Sequence, residues 1–321
     1  MKSRTDKKQE ESRKRSFKFL FWLLVAKIAF IALCAIGGIW LIFFMTHSGT
    51  GSKNEVTFHR VLGGGYASHG SHFWLASTHG IVSYNESRWK NKSVKPIPRQ
   101  TRFLSVENGW IRMERHSDQA EEINANGKKK DTIHLPQNGS GIWAADYHTH
   151  ELYHLSASGG GYLIEWSTEN RKSWHHRSLR GIHGKVRKLA VNPGNSRIFA
   201  IATTQGLYLT SDGGSTFQTY FRGKEVTGIA YNFSSQPSLL AASFDKEQKE
   251  TFLYHVIPDQ RKAINLDLDT IANDRVTQIL TSPVHPQESV VLTAGDYGYQ
   301  TKNGGQNWTI IAQRGRGLQA K

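Results

Sequence analysis

The sequence predicts an all-β protein, a six-bladed β-propeller, preceded by one N-terminal transmembrane helix. Short alternating strands separated by turn residues fill the chain from about residue 56 onward. These strands fall into groups of four that recur about every 43 residues, a period typical of propeller blades. An apolar run with a single charge precedes them at 19–44. Helical periodicity is almost absent after this run, so the repeating unit is a four-stranded sheet.

The apolar run is long enough to cross a bilayer, which takes about 20 helical residues. Its one charge is Lys27. Residues 1–18 hold eight Lys or Arg against three acids, and such basic segments remain in the cytoplasm. We therefore expect a cytoplasmic tail at 1–18, an uncleaved single-pass anchor at 19–45 and a linker at 46–57. The rest of this cell-membrane protein is expected outside the cytoplasm.

Six blades account for the predicted strands. In chain order they lie near 59–94, 103–136, 140–179, 186–221, 226–268 and 276–311. The propeller is assigned to 58–313, and a basic tail to 314–321. A seventh blade would need further strands from the N-terminal stretch, so six blades are favoured over seven.

A repeated motif marks the turn between the third and fourth strands of a blade. It reads GLYLTSDGGSTF at 206–217 and GYQTKNGGQNW at 298–308. The paired glycines supply the positive φ that a tight turn needs, and an Asp or Asn side chain accepts hydrogen bonds from turn amides. The closing aromatic residue packs between sheets. We assign this structural role to Ser211, Asp212, Gly214, Thr216, Phe217, Asn303, Gly305 and Trp308.

The motif resembles the Asp-box, or BNR, repeat of sialidase-type propellers, with partial copies at 167–174 and 83–89. The chain is also similar, over about 59–315, to bacterial exported propellers loosely labelled glycosyl hydrolases. The residues that carry this second resemblance are STHGIVSY, RKLAVNP, IATTQGLYLTSDGGSTF, TSPVHPQE and YQTKNGGQNWTIIAQRG. Asp-box propellers include hydrolases, receptors and assembly factors, so the resemblance implies a fold and little chemistry.

Candidate site residues lie in the turns between second and third strands, on the face opposite the repeated motif. A ligand-binding face is predicted from His79, Arg115, His116, Gln205 and Tyr297. A glycosidase needs two carboxylates about 5 to 10 Å apart, and the candidates are Asp118, Asp245 and Asp296.

Histidines suggest a weaker alternative, a metal site. His79 and His116 are the best pair because their turns face the channel, and His148 and His150 would share a face if they lay along a strand. No cofactor is predicted.

The charge of the chain favours anionic partners. The formal net charge is +15, and a single cysteine, Cys34, excludes an intrachain disulfide. Nucleic acid is an unsuitable partner for a domain outside the membrane that has no basic helix. The sequence predicts a non-catalytic binding or assembly module for a protein or an anionic wall polymer. A glycoside hydrolase that uses channel-face carboxylates and a metal-binding propeller are the alternatives.

Overall fold

The computed structural model describes residues 56–70, 72–136, 140–168, 171–266, 268, 271 and 273–319. The chain divides into two units, Met1–Glu55 and Val56–Lys321. The predicted tail and membrane anchor fall in the first unit, outside the described residues. Within the described ranges, none of the helical segments has the length and apolar character to span a bilayer.

The second unit consists of six antiparallel sheets, which we call blades 1 to 6. Blades 1 to 3 contain β1 (Val61–Tyr66), β2 (His72–Ser77), β3 (Gly80–Asn85), β4 (Arg88–Ser93), β5 (Thr101–Val106), β6 (Gly109–Glu114), β7 (Gln119–Asn124), β8 (Lys129–His134), β9 (Ile142–Ala145), β10 (Leu152–Ser158), β11 (Gly161–Ser167) and β12 (Trp174–Leu179). Blades 4 to 6 contain β13 (Val186–Asn192), β14 (Asn195–Thr203), β15 (Gly206–Thr210), β16 (Gln218–Tyr220), β17 (Glu225–Tyr231), β18 (Leu239–Asp245), β19 (Glu250–Ile257), β20 (Lys262–Asn265), β21 (Val276–Thr281), β22 (Ser289–Thr293), β23 (Gly298–Thr301), β24 (Thr309–Gln313) and β25 (Arg316–Gly317). Among the described residues there is one 3₁₀ turn, Pro258–Gln260, which precedes β20.

Within each blade the strands pair in chain order, each with the next. The first strands of successive blades are neighbours, and β1 is also a neighbour of β21, so the blades form a closed ring. The all-β, six-bladed propeller predicted from the sequence is therefore confirmed. The last blade has a fifth strand, β25, which lies in the segment that the sequence assigned to a basic tail.

The core consists of six apolar clusters in the described residues, one between each pair of adjacent blades. The cluster between blades 3 and 4, for example, joins Leu155 and Ile164 to Phe199 and Ile201. Sheets that pack face to face bury the alternating inward side chains of both partners. Each blade is thus held by its two neighbours.

The ring closes where the chain segment before β1 meets the end of blade 6. Thr57 forms a β-bridge with Arg316, the amide of Phe58 donates to the Gly315 carbonyl at 2.7 Å, and the amide of Gly317 donates to Val56 at 2.9 Å. Val56 and Phe58 are buried in the same cluster as Ile311. Closure pairs a β-sheet edge that would otherwise expose unpaired backbone groups.

Candidate functional site

The six first strands surround a central channel of about 500 Å³. Its wall presents polar and apolar surface in similar amounts, with residues contributed by β1, β5, β9, β13, β17 and β21. Because the sheets are antiparallel and paired in chain order, first strands begin on the same face as the turns between second and third strands. We call this face, which carries the candidate site residues, the upper face.

Basic side chains gather where the channel opens on the upper face. The channel lining includes Arg99, Arg102, Arg187 and Lys188, and among its described residues it includes no Asp or Glu. Three of the four lie at the beginnings of β5 and β13, and Arg99 lies in the connection that leads into β5. We call these four residues the basic mouth. Such a cluster attracts anionic groups.

The cations of the basic mouth influence one another. Nη1 of Arg102 donates a hydrogen bond to the Gly141 carbonyl at 2.6 Å. Burial, followed by the charge of Arg115, lowers the pKa of the Arg102 guanidinium. Burial, followed by the charge of Arg102, lowers the pKa of Lys188 to about 8. A bound anion would relieve this repulsion and favour the charged form of Lys188.

One buried acid lies beside the basic mouth. Glu225 lies at the start of β17. Its carboxylate forms an ion pair with Nη2 of Arg187 at 2.7 Å and another with Nζ of Lys246 at 3.3 Å. Burial alone would raise the pKa of Glu225, but Arg187 and Lys246 hold it below its usual value. Glu225 thus has partners on two sides, and it compensates only part of the positive charge.

The structure places the predicted ligand-binding residues in the turns of the upper face. His79, Arg115, His116 and Gln205 are exposed there, and Tyr297 is half-buried. The Tyr297 hydroxyl accepts a hydrogen bond from Nε of Arg314 at 3.1 Å. Arg115 is the member of this set whose charge acts on the basic mouth.

The three candidate catalytic carboxylates are not among the described residues that line the channel. Asp118 is exposed, and Oδ1 of Asp245 accepts the turn amides of Glu247 and Gln248 at 2.9 and 3.1 Å. Asp296 accepts the Arg60 amide at 2.9 Å and lies 3.1 Å from Nδ1 of His59. The hydrogen bonds of Asp245 and Asp296 thus serve a turn and the ring closure.

The histidines are dispersed among separate contacts. His79 packs against His59, with ring centroids 5.0 Å apart. His148 and His150 would share a face only along a strand, and they lie instead in the turn between β9 and β10, where they contact two different carboxylates, Glu107 and Glu122. Over the described ranges, no three His, Cys, Asp or Glu side chains are grouped as metal ligands would be.

The repeated motif forms a turn between third and fourth strands, as predicted. Oδ1 of Asp212 accepts the amides of Ser215 and Thr216 at 2.9 and 3.0 Å, and Oδ2 accepts the Thr216 hydroxyl at 2.7 Å. The Thr216 amide, with other hydrogen bonds of the turn, lowers the pKa of Asp212. In blade 6, Oδ1 of Asn303 accepts the Asn307 amide at 3.0 Å. These polar groups thus form their hydrogen bonds within the turn itself.

Sequence reasoning missed the strand residues of the basic mouth, since it looked for ligands in turns only. A signal was present: TRF at 101–103 and VRK at 186–188 place cations at the start of first strands. In a propeller those positions border the channel, so the register of the blades would have pointed to them.

Comparisons with solved structures identify the class of protein as the β-propeller. A GH74 xyloglucanase from Xanthomonas campestris is 12% identical, with a TM-score of 0.53 over 80% of this chain and 46% of that chain. A Niastella koreensis GH74 enzyme is 14% identical, with a TM-score of 0.50 over 81% and 47%. The Pan2 WD40 domain of Neurospora crassa is 12% identical, with a TM-score of 0.50 over 78% of both chains.

These likenesses are shared folds among proteins of different function. The chain spans about half the length of the two GH74 enzymes. No protein-family model and no curated protein matches the sequence.

Proposed function

We propose that this protein is a non-catalytic binding module that holds an anionic ligand, an acidic protein segment or a wall polymer, at the basic mouth. The observation that carries the proposal is the convergence of Arg99, Arg102, Arg187 and Lys188 on one end of the channel. Fixed, partly desolvated cations attract anions more strongly than exposed ones. The exposed turns of the upper face would then contact the remainder of a large ligand.

The repeated turns support the resemblance to Asp-box propellers. Asp212 and Asn303 make the same kind of contact to amides of their turns. In this interpretation the motif is a structural hairpin in both blades, and the ligand binds on the opposite face.

We further propose that residues 19–45 anchor the propeller to the cell membrane on its outer side. The support is the apolar run and the eight basic residues before it. Alkaline phosphatase folds only outside the cytoplasm, so its fusion after residue 321 is expected to be active. An active fusion of green fluorescent protein at the same point, with an inactive phosphatase, would contradict this orientation.

Binding by the basic mouth is testable with the full chain in detergent micelles. The probes are fluorescein-labelled poly-L-glutamate and fluorescein-labelled poly(glycerol phosphate), which represent an acidic protein segment and a wall polymer. The double variant Arg102→Gln/Lys188→Gln is expected to lower the affinity for the preferred probe at least about tenfold at low salt. Affinity should also fall as the pH rises through about 8, where Lys188 loses its proton.

The matched control is Lys90→Gln/Lys302→Gln, which removes the same charge from exposed positions outside the channel lining. It is expected to change affinity by less than about twofold, as distant surface charges are screened. An equal loss in both variants would show nonspecific attraction to net charge and would refute a defined site.

A further inference from the structure

Aromatic side chains wedge between blades at a recurrent position. The residue near the start of the fourth strand is Trp89, Trp174, Phe217 or Trp308 in blades 1, 3, 4 and 6. Each packs in the cluster that joins its own blade to the preceding one. The ring of Trp174, for example, meets that of Trp143 edge to face at 6.1 Å.

Blade 2 lacks this wedge. Its fourth strand begins with Lys129, whose Nζ lies 3.1 Å from Oε1 of Glu121. Blade 5 also begins its fourth strand with a lysine, but there the tilted rings of Phe221 and Tyr254 lie 4.6 Å apart and pack against the cluster between blades 4 and 5. Between blades 1 and 2 the buried cluster consists of Trp74, Ala76, Phe103 and Trp110, and none of these described residues comes from a fourth strand.

A cleft of about 830 Å³ lies between blades 1 and 2. The turn of blade 2 that lacks the aromatic, 125–127, lines one part of it, and Trp74, Phe103 and Trp110 line its interior. The rings of Trp74 and Trp110 lie 4.9 Å apart. We call this space the wedge cleft, because it occupies the place that a wedge fills elsewhere.

The wedge cleft contains an unsatisfied donor. Trp110 is 7% exposed, and its indole nitrogen has no hydrogen-bond partner among the described residues. A buried tryptophan N–H normally finds an acceptor.

The rim of the wedge cleft is basic. Lys92 and Lys95 are exposed at it, and the described lining contains no Asp or Glu. Burial, followed by the charges of Lys92 and His69, lowers the pKa of His72 in the same wall. Arg112 is engaged with Glu114 at 2.8 Å, so Lys92 and Lys95 remain the principal charges for a ligand.

We propose that the wedge cleft binds an acidic peptide segment of a partner protein, which inserts one aromatic side chain between blades 1 and 2. The inserted ring would take the place that Trp174 takes between blades 2 and 3, and neighbouring Asp or Glu residues would face Lys92 and Lys95. This site is separate from the basic mouth and does not depend on the function proposed for it.

The variant Lys129→Trp supplies the missing wedge from the chain itself. Lys129 pairs with Ile123 across β7 and β8, and Ile123 lines the cleft. Directly opposed residues of an antiparallel pair share a face of the sheet, so the new ring would enter the cleft. The matched control is Lys262→Trp, the same change at the first residue of the fourth strand in blade 5, where the residue is exposed.

The test begins with selection of a display library of random dodecapeptides against the full chain in detergent micelles. Enriched peptides are expected to contain an aromatic residue flanked by Asp or Glu. A fluorescein-labelled synthetic copy should bind Lys129→Trp at least about tenfold more weakly, a loss typical of an occluded central contact. Lys262→Trp should bind it as the wild type does, and Lys92→Gln/Lys95→Gln should bind it more weakly.

Three outcomes would overturn the proposal. If the enriched peptides lack the pattern of an aromatic residue flanked by acidic residues, the proposed ligand class is wrong. If Lys129→Trp binds the peptide as tightly as the wild type does, the peptide does not bind in the wedge cleft. Trigalacturonate, an acidic oligosaccharide, is included as a competitor. The cleft is a carbohydrate site if Lys129→Trp abolishes the binding of trigalacturonate and leaves the binding of every selected peptide unchanged.

Discussion

At the scale of the residue, Glu122 shows how a buried charge joins two blades. It is 2% exposed. Its Oε1 accepts a hydrogen bond from Nζ of Lys130 in its own blade at 2.9 Å and lies 3.0 Å from Nδ1 of His150 in blade 3. Arg171 of blade 3 also donates to the carboxylate. Burial alone would raise the pKa of Glu122, but the hydrogen bonds from Lys130 and Arg171 lower it to about 2.

This arrangement predicts acid lability. The folded pKa lies below the ordinary value of 4.5, so the stabilisation from Glu122 is complete above pH 4.5. It declines as the pH falls from there toward 2, because the carboxylate must then bind a proton. In urea unfolding at pH 7, Glu122→Gln is expected to lower the free energy of unfolding by about 3 kcal/mol, since it leaves partners of a buried ion pair uncompensated.

The difference between wild type and Glu122→Gln should narrow when the same unfolding is measured at pH 3. Glu121→Gln is the matched control, because Glu121 is half-exposed in the same strand and pairs with Lys129. An exposed pair of this kind contributes about 1 kcal/mol or less. Equal losses in the two variants, or a constant difference across the pH range, would show that the charge of Glu122 has no special role.

At the scale of the element, local signals were sufficient for the blades. Alternation and turn residues located six four-stranded units, and the Asp212 and Asn303 turns fixed their register, because a turn of this kind is stabilised by residues adjacent in sequence. The fifth strand, β25, was not predicted, because a strand of two residues has no detectable periodicity. Pairing within blade 6 and contacts with the segment before β1 hold it in place.

The site was less accessible to sequence reasoning than the turns were. The upper face followed from blade register, but the basic mouth depends on Arg102 and Lys188 meeting across the channel from different blades. The wedge cleft depends on something missing, the aromatic that Lys129 replaces. Its importance appears only when the other interfaces show where Trp174 and Trp308 go. Contacts between distant segments are set by packing, and local patterns do not encode them.

At the scale of the whole molecule, ring closure couples the two ends of the propeller. Phe58 is fully buried, its ring lies 5.1 Å from that of Trp89, and the Trp89 indole donates to the Ile311 carbonyl at 2.8 Å. The hydrogen bond of Trp89 joins residues 222 positions apart, so the entropy lost in bringing them together is offset by burial in this cluster.

Phe58→Ala is therefore expected to lower the free energy of unfolding by about 3 to 5 kcal/mol, the cost of removing a buried phenylalanine. Phe199→Ala, a similar deletion between blades 3 and 4, should have a comparable cost. The two variants are expected to differ in local opening of the ring. The amides of residues 58 and 317 form hydrogen bonds across the closure. In Phe58→Ala alone, their hydrogen exchange should accelerate by more than the loss of global stability explains. Equal acceleration at those amides in both variants would mean that the ring opens at no preferred point. Selective acceleration would show that Phe58 holds the junction of blades 6 and 1 closed.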